Sequence, residues 1–76
     1  MNTARRTMLG RAVEMVYAAL NIVSDVLDSE QDSLDNIPEN LQNSSRYETM
    51  ENIIERLEDA TEKLEDAEEA LHAAIA

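Results

Sequence analysis

The residues with the most chemical potential are Glu69 and His72, a Glu-x-x-His pair near the end of the chain. Three residues apart on a helix, a carboxylate and an imidazole share one face, the spacing that holds di-iron centres in four-helix proteins. That chemistry also needs a core carboxylate from a facing helix at the same level. The one candidate, Glu30, falls opposite Met50, towards the other end of the helix pair, and His72 falls on the solvent side of its own helix. No metal site is expected. With a single histidine on the surface there is no Ser-His-Asp arrangement, and a single glycine leaves no glycine-rich phosphate loop. The sequence reads as a non-enzyme without a cofactor.

Charge narrows the partners. The chain has 76 residues, 17 acidic against 6 basic, and a net charge of -11. Direct nucleic-acid binding is not expected, because that affinity comes from counterions released at Lys and Arg contacts. A basic protein partner is electrostatically easier. Membrane-surface helices favour cations on their polar face, and no 18-residue apolar run is present to span a bilayer. Glu14 and Asn21 interrupt the only stretch that resembles a secretory leader. The absence of cysteine suits a reducing compartment, so the cytoplasm is the expected location.

These residues must be positioned by helices. Leu9, Val13, Val16, Leu20, Val23 and Leu27 recur at alternating spacings of four and three, and Leu34 continues the register after Glu30. Glu30 thus stands where Leu and Val otherwise stand, the position of a buried polar specificity device or ligand contact; the expected reading is that the helix emerges there towards solvent, with Glu30 pairing with Arg46. A second stripe runs alongside through Met8, Ala12, Met15, Ala19, Ile22 and Val26. Apolar residues therefore cover about half the circumference of this helix, more than one partner helix can hide.

The segment from Asp35 to Ser44 breaks the pattern with the only proline, Pro38, and a cluster of turn formers. Pro38 drives Ile37 out of helical conformation, and Ile37 with Leu41 is expected to fold inward over the end of the bundle. Ser45 followed by Glu48 has the spacing of a capping box. The second seam is read as Met50, Ile53, Leu57, Ala60, Leu64, Ala67, Leu71 and Ala74, with Ile54 and Ile75 widening one flank. Glu51, Glu55, Glu58, Asp59, Glu62, Glu65, Asp66 and Glu69 cover the far side.

The expected fold is therefore all-α. It is a single antiparallel helical hairpin over residues 1–76, with helix 1 at about 4–35, a turn at 36–44 and helix 2 at about 45–75. Residues whose numbers sum to about 80 lie side by side in such a hairpin, bringing Arg5, Arg6 and Arg11 near Glu65, Glu68 and Glu69. Two amphipathic helices without Phe or Trp cannot bury enough surface alone, so self-association is expected, preferably as a two-fold dimer forming a four-helix bundle. The candidate self-association residues are Leu9, Ala12, Val13, Val16, Ala19, Leu20, Ile22, Val23, Val26, Leu27, Leu57, Leu64 and Leu71. The methionines read as core fillers.

The turn run from Asp35 to Gln42, DNIPENLQ, followed by Ser45, Arg46, Tyr47 and Glu48, resembles an uncharacterised family of short acidic helical-hairpin proteins encoded by phages and mobile elements of Gram-positive bacteria. The likeness spans about Glu30 to Leu71 and includes the Glu30-Gln31 pair before the turn and the acidic heptads after it. Helix 1 departs by being richer in Ala and Val. The resemblance implies a hairpin fold and a phage or mobile-element setting, and it supplies no activity. It directs attention to Asn36, Pro38, Glu39, Asn40, Arg46 and Tyr47 as exposed candidates for a partner contact. The expected role is a non-enzymatic, homo-oligomeric protein that mediates protein–protein interaction. The alternative is a small anti-defence inhibitor, acting either as an acidic nucleic-acid mimic or as an oligomer that sequesters a small ligand.

Overall fold

Asn2 starts the first helix: its side-chain oxygen accepts a hydrogen bond from the Arg5 backbone N–H at 2.9 Å, satisfying one of the free donors of the first turn. The computed structural model describes residues 1–76, and in it α1 runs over Thr3–Asp35, several residues before the apolar pattern begins at Met8. After Asp35 the chain leaves the helix as Pro38 requires. The Asn36 and Ile37 amides still donate back to Asp32 and Leu34, both at 3.1 Å. A short 3₁₀ turn, Glu39–Leu41, follows, and α2 occupies Ser45–Ile75.

The cap of α2 differs from the sequence expectation. Ser44, in extended conformation, accepts from the Tyr47 N–H at 3.2 Å, while Ser45 is already helical and its carbonyl accepts from the Thr49 hydroxyl at 2.9 Å. With Ser44 as the cap, Glu48 lies one position too far into the helix to close a capping box. Leu41 also differs. It remains 50% exposed, because the 3₁₀ turn, held by the Leu41 amide donating to the Pro38 carbonyl at 2.9 Å, keeps it on the outside. Ile37 is half-buried, so only one of the two covers the closed end.

The helices pack against each other along one seam. On α1 it comprises Leu9, Val13, Val16, Leu20, Val23 and Leu27, all half-buried, then the half-buried Glu30 and the buried Leu34, so the helix does not emerge into solvent at Glu30. On α2 it comprises Tyr47, Met50, Ile54, Leu57, Thr61, Leu64, Glu68, Leu71 and Ile75. The leucines are those read from the sequence, but the seam passes through Ile54 and Ile75 in place of Ile53 and Ala74. Alternate seam positions move by one residue while Met50 and the leucines stay, so the helix is turned by about half a position. At the end of the rod this buries Ile75 in place of Ala74, which removes more apolar surface from water, while Ile54 takes the place of another isoleucine. Ile54 is the most buried residue, at 5% exposure, whereas Ile53 is 40% exposed. Thr61 and Glu68 enter the seam as a consequence. Thr61 satisfies its hydroxyl locally by donating to the Leu57 carbonyl at 2.9 Å.

The product is a rod of 60 × 14 × 13 Å. Its radius of gyration is 17.4 Å, against about 11 Å for a compact domain of this length. No helix is long and apolar enough to cross a membrane.

Candidate interaction surface

Two seam positions per heptad, most of them apolar, hold α1 to α2, and the second stripe of α1 lies to one side of that seam. Met8, Met15 and Ile22, seven residues apart, are 66%, 71% and 65% exposed, and Val26 is exposed beside them. Ala12 and Ala19 between them are half-buried. In an antiparallel pair of heptad helices, the positions immediately preceding the first seam position of each heptad lie on the same flank of both helices. On α1 these are Ala12, Ala19 and Val26. On α2 they are Ile53, Ala60, Ala67 and Ala74. One side of the hairpin is therefore apolar along most of its length, rimmed on α2 by Arg56 and Lys63.

The opposite side is polar. It presents Tyr17, Ser24 and Gln31 from α1 and Glu51, Glu58 and Glu65 from α2, with Glu55, Glu62 and Glu69 on the outer surface behind them, all exposed. The expected pairing of Arg5, Arg6 and Arg11 with Glu65, Glu68 and Glu69 is absent, as is a pair between Glu30 and Arg46. The close contacts between basic and acidic side chains lie within α2: Lys63 pairs with Asp59 at 2.7 Å, and the His72 imidazole stands 3.7 Å from Glu68. Residues one turn apart on a single helix meet directly, whereas Arg5 and Arg11 lie on the apolar side of the hairpin and Glu65 and Glu69 on the opposite one. The hydrogen bond and charge of Asp59 raise the pKa of the exposed Lys63 ammonium.

His72 is thus drawn to Glu68, one turn before it, and is exposed. No three His, Asp or Glu side chains converge as a metal-ligand group. A shallow patch between Asn52, Glu55, Arg56 and Asp59 lies on the surface of one helix.

The turn forms an open recess of about 400 Å³ lined by Asn36, Ile37, Pro38, Leu41, Ser44 and Arg46. Of the turn residues singled out from the sequence, Asn36, Pro38 and Arg46 meet there. Glu39 and Asn40 stand outside it on the 3₁₀ turn, and Tyr47 is half-buried at the first seam position of α2.

Of the self-association candidates, Leu9, Val13, Val16, Leu20, Val23, Leu27, Leu57, Leu64 and Leu71 are half-buried between the hairpin's own helices. Ala12 and Ala19 lie half-buried on the apolar flank, and only Ile22 and Val26 are fully available there. The candidate set omitted Met8, Met15 and Ile53. Their signal was the stripe itself, since the two methionines share the seven-residue spacing of Ile22. No protein-family model, curated protein or solved structure matches the chain.

Proposed function

We propose that the chain is a non-enzymatic, homo-oligomeric helical-bundle protein that mediates protein–protein interaction, with the apolar flank engaging copies of itself and the acidic face turned outward. The observation that carries this reading is the row Met8, Met15 and Ile22, each about two-thirds exposed on a well-formed helix. Isolated exposed apolar side chains are ordinary, but a contiguous apolar flank on a small protein marks an interaction site.

Surface area supports the same reading. The hairpin exposes 5803 Å², where a compact monomer of 8.5 kDa exposes about 4,650 Å². The excess, roughly 1,150 Å², is of the order that one partner contributes to a stable protein interface, about 800 Å². An outward acidic face keeps such an assembly dissolved and favours a basic protein partner over a nucleic acid. In this reading the setting is the cytoplasm, in keeping with a chain without cysteine, and the likeness of the turn to phage and mobile-element hairpins suggests the biological context.

Sedimentation equilibrium across low micromolar concentrations tests the proposal. The expected result is a reversible oligomer, with the dimer as the smallest cooperatively melting species. A sharply melting 8.5 kDa monomer overturns it.

A further inference from the structure

Resting on that reading, we infer that the dimer forms by antiparallel, two-fold pairing of α1 with α1 of a second copy, through Met8, Ala12, Met15, Ala19, Ile22 and Val26. The occupant of the apolar flank is identified by size and by charge. The stripe has the four-and-three spacing of a second helix–helix seam. Laid antiparallel on itself about an axis crossing the stripe midway between Met15 and Ala19, it sets Met15 against Ala19, Ile22 against Ala12 and Met8 against Val26. In two of the three layers a long side chain meets an alanine, the alternation that lets facing helices interdigitate. A parallel pairing would set methionine on methionine and alanine on alanine, leaving the layers alternately overfilled and hollow.

Charge selects the same direction. Arg5, Arg6 and Arg11 precede the first acidic residue of the chain, Glu14, while Asp25, Asp28, Glu30, Asp32 and Asp35 load the other end of α1. None of these three arginines is held in an ion pair by its own chain. Arg11, Ala18 and Asp25 occupy successive equivalent positions on the outer edge of the stripe. Antiparallel pairing brings Arg11 of each copy beside Asp25 of the other and Ala18 beside Ala18. Parallel pairing would stack like charges at both ends.

The α2 flank fits a secondary place in this bundle. Its stripe has one apolar residue per heptad, and the neighbouring positions hold Thr49, Arg56, Lys63 and Ala70, so it supplies a partly polar contact where α1 supplies a full seam. Every neighbouring pair of helices is then antiparallel, and the acidic surfaces of α2 face outward.

The test uses single-cysteine variants of the full chain, which has no native cysteine, and a short thiol-to-thiol crosslinker. Ala18→Cys is expected to crosslink to itself. Ala4→Cys is expected not to, because its two copies would stand about 40 Å apart along the axis, whereas a mixture of Ala4→Cys and Asp32→Cys crosslinks between unlike chains. In parallel, Arg11→Glu and Asp25→Arg are each expected to weaken dimerisation roughly tenfold, and the double exchange to restore most of it. Self-crosslinking of Ala4→Cys, or a dimer that none of these reagents captures and none of the charge exchanges alters, overturns the antiparallel α1 pairing while the oligomer stands. A monomer at every concentration overturns the oligomer as well.

Discussion

His72 Nε2 lies 3.7 Å from Oε1 of Glu68, one helical turn before it, and Glu68 occupies a seam position with only 26% of its side chain exposed. The imidazole therefore partners the carboxylate that the seam restricts, not the freely exposed Glu69 whose spacing suggested a metal pair. A carboxylate between two packed helices loses hydration that a partner on the rim recovers only in part.

Replacing that carboxylate should accordingly stabilise the protein. Glu68→Leu is expected to add about 1 kcal/mol, raising the melting temperature by roughly 4–8 °C. Thermal melts followed by circular dichroism at fixed protein concentration check this; a lowered melting temperature would show that the carboxylate is needed where it stands.

The start of α2 separates two adjacent serines. Ser44→Ala removes the acceptor for the Tyr47 amide and should cost about 1 kcal/mol, whereas Ser45→Ala, inside the helix, should be neutral or slightly stabilising. Urea denaturation of both variants distinguishes them, and the reverse ranking would place the cap at Ser45.

Adjacent isoleucines make the seam testable. Ile54→Ala should cost about 2–4 kcal/mol, enough to unfold much of a marginal hairpin at ambient temperature, and Ile53→Ala less than half as much. Equal losses would mean that α2 is not rotated as described.

Gly10 lies within α1, and a Cβ placed there meets no atom within 4 Å. Gly10→Ala should therefore stabilise by about 0.5–1 kcal/mol, because the helix gains propensity and the unfolded chain loses freedom. Chemical denaturation measures the gain, and a loss would reveal a neighbour close to Gly10.

Association should respond to one flank and not the other. Met15→Asp is expected to raise the dimer dissociation constant at least about tenfold, since it places a charge in the proposed interface. Tyr17→Asp, on the polar side, should leave it nearly unchanged. Light scattering across a dilution series reads both; equal sensitivity would move the interface away from the apolar flank.

The hairpin itself was legible in the sequence, because helical periodicity, the proline-bearing turn and the matched lengths of the two apolar patterns are local properties of the chain. The leucines of both seams were legible for the same reason, as was the excess of apolar surface on α1. Tertiary packing alone decided the rotation of α2. Spacing accepts Ile53, Ala60, Ala67 and Ala74 as readily as Ile54, Thr61, Glu68 and Ile75, and only the fit of α2 against α1 selects the second set. Tertiary structure also decided which serine caps α2, which turn residues meet in the recess, and that the close contacts between basic and acidic side chains run along α2 and not across the seam. Those outcomes depend on distances between residues remote in sequence or on backbone angles at a turn, and neither is fixed by residue type and spacing.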